Sequence, residues 1–279
     1  MAGYGTLNVV SKGPVVRAVF DNPPINILDY KVFSDLHAFL TGLKKDPNPP
    51  KVVIFSSANP KFFFSHYDLH ILSGSSPLPP PLDPEEVSRK FVESARMMSS
   101  MGVVFIAEIS GQSLGAGNEI LLQMDMRFAA PGTKLGSLEI GLGMLHAGGG
   151  SQYLTKLIGR GRALEYLLSA STVDADTAER IGWVNKSFPS VEEMITYVDK
   201  LAHRIASFPA AALAATKDSV NEQAPPEDAL NRDLGRITAL ARTSEAQMAL
   251  TKFLELGNDQ QPGPWEDGLN DNLLRLWQS

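Results

Sequence analysis

MGVVFIAEISGQSLGAGNEILLQMDMRFAAPGTKLGSLEIGLGMLHAGGGSQYL, residues 101–154, is the stretch from which the rest of the chain is read. An apolar run over residues 103–109 ends in a glycine-dense turn, Gly111-Gln112-Ser113-Leu114-Gly115-Ala116-Gly117, and an apolar-periodic segment follows over 118–126. The pattern predicts a buried strand feeding a helix through a loop whose glycines let backbone approach a ligand closely. The helix start offers unpaired N–H groups and a positive dipole end, both suited to a developing anion. Glu119 lies in the first turn of that helix, and Glu139 lies further on, just ahead of Gly148-Gly149-Gly150. Two carboxylates, each tied to a glycine turn, with a helix N-terminus between them, point to acid/base chemistry on an oxyanion-forming substrate. A plainer reading stands beside it, in which Glu119 only complements the helix dipole and Glu139 is a solvated turn residue.

Other local patterns compete for attention. Gly111-Gln112-Ser113-Leu114-Gly115 matches G-x-S-x-G, which would make Ser113 the nucleophile of a hydrolase. That architecture expects an acid and then a late histidine, whereas the last histidine here is His203 and a mostly helical stretch follows it. His66-Tyr67-Asp68-Leu69-His70 offers metal-ligand types at alternate positions, but no further ligands follow at useful spacing, so no metal is expected.

The whole chain bounds these readings. Its 279 residues suffice for one large domain or a core with a smaller terminal region, and 43% hydrophobic against 20% charged content suits an ordinary globular protein. A net charge of −6 argues against nucleic acid as a partner. The absence of cysteine removes disulfides, thiolate metal sites and a thiol nucleophile together. No targeting segment and no apolar run of the roughly 18 residues needed to span a bilayer is visible, so a cytoplasmic protein without a membrane partner is expected.

Taken in order, residues 7–10 and 15–20 predict a hairpin, 30–43 a helix, and 52–55 a short buried strand. The sequence SGSSPLPPPLD at 73–83 predicts an extended loop around Pro77 to Pro81, either a lid or a surface linker. Pro84-Glu85-Glu86 opens a helix reaching about residue 99. Beyond residue 154 helices dominate, over 162–168, 174–181, 191–207 and 210–221, then one or two long helices over 227–255. A terminal helix is expected where Leu269, Leu273, Leu274 and Trp277 recur at helical spacing. Strand, turn, helix and strand in this order is α/β logic.

With these residues laid out, the chain resembles the crotonase (enoyl-CoA hydratase/isomerase) family. Lys61-Phe62-Phe63-Phe64-Ser65-His66-Tyr67-Asp68-Leu69 is similar to its K-x-F-x-A-G-x-D-L loop. The stretch 109–119 with Asp125, then Leu138-Glu139-Ile140 with Gly143 and Gly149-Gly150-Ser151-Gln152-Tyr153-Leu154, are similar to further family elements in order and at family spacing. The resemblance implies an α/β fold, a crotonase-like spiral of ββα repeats over residues 1–200, with a C-terminal helical trimerisation region over 201–279. It implies an acyl-CoA thioester substrate, coenzyme A entering as part of that substrate and no tightly bound cofactor, and a homotrimer or homohexamer. Glu119 and Glu139 become a paired acid and base adding water across the 2,3 double bond of an enoyl thioester. Isomerisation, or another enolate reaction on a specialised acyl group, is the alternative, and a non-catalytic scaffold is a third reading that both retained glutamates oppose.

By position the resemblance gives the oxyanion-binding amides to Ser65 and Ala116, and substrate contacts to His66, Tyr67 and Asp68. Lys61 becomes a candidate partner for the CoA phosphates, since the basic cluster that often ends the last family helix is replaced by Glu255-Leu256-Gly257. His66 stands where the family carries glycine, either a third group at the site or a side chain turned away from it. Ala116, Leu138 and His146 also depart from the usual residues.

Overall fold

The structure is a computed structural model and describes residues 3–75 and 83–278. The proline-rich loop expected at 77–81 lies outside the described residues. Strands β1 (Leu7–Lys12) and β2 (Val15–Phe20) form the expected hairpin. Helix α1 (Tyr30–Lys45) begins at Asp29, whose carboxylate accepts the N–H groups of Lys31 and Val32. That satisfies two of the donors a helix start leaves open. From there successive strands alternate between two sheets. Strands β3 (Val52–Ser57), β5 (Val104–Ile109) and β7 (Met126–Ala129) join β1, β2 and β10 (Lys186–Ser187) in a six-stranded sheet ordered β1-β2-β3-β5-β7-β10. Strands β4 (Phe62–Phe64), β6 (Gln112–Leu114), β8 (Lys134–Gly136) and β9 (Val173–Asp174) form a second sheet in the order β4-β6-β8-β9. Each of the pairs β3/β4, β5/β6 and β7/β8 thus contributes one strand to each sheet, which is the expected spiral.

The six-stranded sheet is parallel apart from its first hairpin, and it is apolar on both faces, as a covered parallel sheet must be. Alternate residues supply the two faces. Val53 and Phe55 of β3, with Phe105 and Ala107 of β5, point into the main core, where Phe20 stacks on Phe55 at 5.3 Å. Val52, Ile54, Val104 and Ile106 point the other way, onto Met194, Val198 and Ala202 of α8 (Val191–Ala206). The expected boundary at residue 200 therefore falls inside a helix that belongs to the core.

The remaining helices before α8 are α2 (Leu69–Ser73), α3 (Pro84–Ser100), α4 (Ala116–Leu122), α5 (Gly150–Ile158), α6 (Arg160–Ser169) and α7 (Ala175–Ile181). After it come α9 (Ala210–Asn221), α10 (Glu227–Ala241) and α11 (Ser244–Leu256), then the short α12 (Pro264–Asp267) and α13 (Leu269–Asn272) and a 3-10 turn at Leu273–Leu276. Helix α4 stops at Leu122, short of the expected residue 126, because Met126 is already paired with Ile106 across β5 and β7. Of the one or two helices expected over 227–255 there are two, since Thr243 accepts the N–H of Ala246 and starts α11 afresh. The terminal helix is broken into short turns, yet Leu269, Leu273 and Leu276 still enter one cluster with Ala246, Ala249, Leu250 and Phe253 of α11. No described helix is long and apolar enough to cross a membrane.

Candidate active site

Glycine geometry brings the two glutamates together. Gly115 caps α4 with φ of 54°, a conformation L side chains rarely adopt, and a Cβ there would lie 3.2 Å from Glu139 Oε1. Glu119, in the first turn of α4, accepts the N–H of Gly148 at 2.8 Å and of Gly150 at 2.9 Å on its Oε1. A Cβ on Gly150 would stand 2.6 Å from that oxygen, so the glycine cluster lets two amides reach the carboxylate. Glu139 opens a 3-10 turn, Glu139–Leu142, and its Oε2 accepts no hydrogen bond among the described residues. His146 Nε2 is 3.3 Å from Glu139 Oε2, but its aligned acceptor is the Ser137 carbonyl at 3.2 Å.

Burial, followed by the neighbouring charge of Glu139, holds Glu119 well above the ordinary carboxylate range. Burial does the same to Glu139, opposed by nearby backbone N–H groups. Burial lowers His146, against the charge of Glu119 and the Ser137 carbonyl. The three groups therefore share fewer charges than three isolated side chains would at neutral pH.

Both glutamates line a pocket with about 950 Å³ of space including its mouth. Its walls are mostly apolar, with Phe91 and Val92 from α3, Ile237 from α10, Phe253 from α11, and Leu269 and Leu273 from the C-terminal segment. Ala116 and Tyr67 also line it. Ala116 occupies the first helical position of α4, where an N–H has no partner in the preceding turn, and its φ is not in the positive region.

The first loop places its amides differently from the expectation. The N–H of Ser65 donates to the Asn26 carbonyl at 3.3 Å, and Ser65 does not line the pocket. The carbonyl of His66 accepts the N–H of Leu28 at 2.9 Å, and the next N–H on that strand side, from Asp68, donates to the Leu28 carbonyl at 3.1 Å. In a trans peptide the N–H points opposite the preceding C=O, so the Tyr67 N–H is turned away from Leu28. It has no hydrogen-bond partner among the described residues. The resemblance gave Ser65 by position, whereas the alternation that leaves the Tyr67 N–H unpaired is set by pairing with Leu28, a bridge between distant parts of the chain.

The remaining expected residues are accounted for individually. His66 lines the pocket and its ring binds Glu266, a residue no motif singled out. Asp68 caps α2 by accepting the His70 N–H at 3.0 Å and also accepts from Gln260 at 2.9 Å, which makes it a structural anchor of the loop. Lys61 is exposed, with its Nζ 3.2 Å from Asp267. Ser113 lies wholly buried in β6, and its hydroxyl has no hydrogen-bond partner among the described residues, so no histidine activates it. Among the described residues no group of three or more potential ligands is placed to hold a metal.

Comparison with known proteins places this geometry. The family profile described as Enoyl-CoA hydratase/isomerase matches residues 11–267. A crotonyl-CoA hydratase of Syntrophomonas wolfei subsp. wolfei is 29% identical over 251 residues, covering 88% of this chain and 94% of the relative. A crystal structure of a candidate enoyl-CoA hydratase from Streptomyces avermitilis superposes with a TM-score of 0.87 at 36% identity, covering 98% of each chain. Pseudomonas aeruginosa DspI superposes with a TM-score of 0.72 at 26% identity, covering 92% of this chain and 96% of that one.

Proposed function

The chain belongs to the enoyl-CoA hydratase/isomerase family, and from that premise we propose that it adds water across the 2,3 double bond of an enoyl-CoA thioester. The observation that carries the reading is the pair of buried glutamates facing one pocket beside the free N-terminus of α4. In the proposed reaction the thioester oxygen accepts the N–H groups of Tyr67 and Ala116. Their worth is greatest when that oxygen becomes an enolate, so they lower the barrier and do not merely tighten binding.

Two amides on Glu119 Oε1 favour its charged form, whereas Glu139 Oε2 has no donor. We therefore give the charge to Glu119 and the proton to Glu139. Glu119 removes a proton from water as its oxygen bonds to Cβ. The double-bond electrons move onto the thioester oxygen, and as the enolate collapses Glu139 delivers its proton to Cα. The product is a 3-hydroxyacyl thioester, and the two carboxyl groups recover their starting state by proton exchange.

The apolar walls favour an uncharged acyl tail. Lys61 remains our candidate for the CoA phosphates, which requires it to leave Asp267. A homotrimer or homohexamer fits the apolar residues left exposed on one chain, among them Leu168 at 65% and Val220 at 67%.

The test is the absorbance of the conjugated thioester, using crotonyl-CoA and a longer straight-chain 2-enoyl-CoA. Loss with the wild type and none with Glu139→Gln is expected, with Ser113→Ala unchanged. No loss with any 2-enoyl-CoA from a folded protein would reject hydration and turn attention to isomerisation of the double bond.

A further inference from the structure

The first loop of the pocket is tied to the C-terminal segment at several points. Asp267 meets Lys61 at 3.2 Å, Gln260 accepts the N–H of Leu69 at 2.9 Å, and Asp259 meets His70 Nε2 at 2.7 Å. Between these ties, Glu266 Oε2 lies 3.1 Å from His66 Nε2 and Oε1 lies 3.3 Å from it. The ties of Asp267 and Asp259 are exposed, whereas the Gln260 tie is buried, and so is the central pair, with Glu266 1% and His66 7% exposed. Trp265, the neighbour of Glu266, packs edge-on against Phe253 at 5.4 Å, and the His66 ring packs edge-on against the same Phe253 at 5.3 Å.

Both ring nitrogens of His66 face acceptors. Nδ1 is 2.8 Å from the Tyr67 carbonyl, which cannot donate, while Nε2 faces the carboxylate. A neutral imidazole donates from one nitrogen only, so an ionised Glu266 requires both to carry protons. A buried charge of either sign without its partner is strongly unfavourable, so the close contact couples the two side chains. Burial by itself lowers the basicity of His66, yet Glu266, the Tyr67 carbonyl and Asp68 together carry it above the ordinary histidine value.

This arrangement bears on the amide that faces the substrate. His66 Nδ1 holds the carbonyl on one side of Tyr67, and Leu28 holds the carbonyl of His66 on the other. The Tyr67 N–H belongs to the His66–Tyr67 plane, which Leu28 holds. The next plane, Tyr67–Asp68, is held by the Asp68 N–H on the Leu28 carbonyl and by His66 Nδ1 on the Tyr67 carbonyl, and Glu266 reaches it through His66.

We infer that Glu266 is a positioning residue, which acts through His66 to fix the loop that presents the Tyr67 amide to the thioester oxygen. The inference rests on the proposed hydration reading for its kinetic consequence, although the ion pair stands without it. It makes the C-terminal segment part of the oxyanion-binding machinery of its own chain.

The experiment compares Glu266→Gln with Asp259→Asn, which loosens the same segment at an exposed contact. Turnover of a 2-enoyl-CoA by Glu266→Gln should fall at least tenfold, chiefly in kcat, while Asp259→Asn stays within twofold of the wild type. In parallel, histidine ring-nitrogen NMR of the full chain, with His66→Gln for assignment, should show both nitrogens of His66 protonated at neutral pH. Glu266→Gln should return that ring to a single proton. Equal small effects of the two variants on kcat would overturn the positioning role, and a neutral His66 ring in the wild type would overturn the ion pair. If the wild type turns over no enoyl-CoA while the doubly protonated ring is present, the failure lies with the reaction and not with the pair.

Discussion

Glu119 Oε1 accepts two backbone N–H groups while Glu139 Oε2 accepts none, and the proposed division of charge and proton between them follows from that difference. Removing either carboxylate by Glu119→Gln or Glu139→Gln is expected to lower kcat by about 10²–10⁴-fold with a much smaller change in KM, measured with a 2-enoyl-CoA. The same burial predicts a cost in stability. Both carboxyl groups are held above their ordinary range, so the folded state binds more protons than the unfolded chain as pH rises from that range through neutrality. Stability contributed by these groups is therefore present at low pH and lost on going up. Thermal unfolding between pH 5 and 8 should show wild type losing ground to Glu139→Gln as pH rises; a difference independent of pH would contradict the assignment. Both glutamates were marked in the sequence by their glycine contexts, and the family resemblance is what set them above the plainer readings. His66 and His146 were visible only as departures, since a lone histidine in a motif does not say which carboxylate its ring will meet.

The glycine loops and helix caps that carry these side chains make their own predictions. Gly150 has no strained backbone angle, but an added methyl would stand 2.6 Å from Glu119 Oε1. Gly150→Ala should displace the carboxylate, lowering turnover while costing about 1–3 kcal/mol of stability by overpacking. Calorimetry and a turnover assay on the same sample check both. At the start of α11, Thr243→Ala removes the acceptor for the Ala246 N–H and should cost about 1 kcal/mol, read as a lower midpoint in denaturant. Elements with long, strong periodicity, such as α1, α3 and α8, were readable within a few residues. The C-terminal end of α4 and the position of the break between α10 and α11 were not, because a strand pairing and a single capping threonine decided them.

Across the whole molecule, the C-terminal segment closes the pocket that the N-terminal spiral builds. Leu269, Leu273 and Leu276 are nearly fully buried against α11, so a chain ending at Leu256 would expose the cluster they cover. Such a truncation is expected to lower the unfolding temperature, bind a hydrophobic dye and lose turnover; unchanged turnover would mean that the segment is not part of the pocket. The first hairpin, the buried strands near 52–55 and 103–109, most of the helices and the two pocket carboxylates were already marked in the chain as local patterns, while the spiral was implied by the family resemblance. Apolar periodicity, glycine and capping residues act over a few positions, and those positions are adjacent in sequence. The Tyr67 amide and the Glu266–His66 pair were decided only by the tertiary structure. One depends on a bridge to Leu28 that fixes which way a peptide plane points, and the other on a contact between segments 200 residues apart. Neither leaves a local signature, because its physical cause is a distance that exists only after the chain has folded.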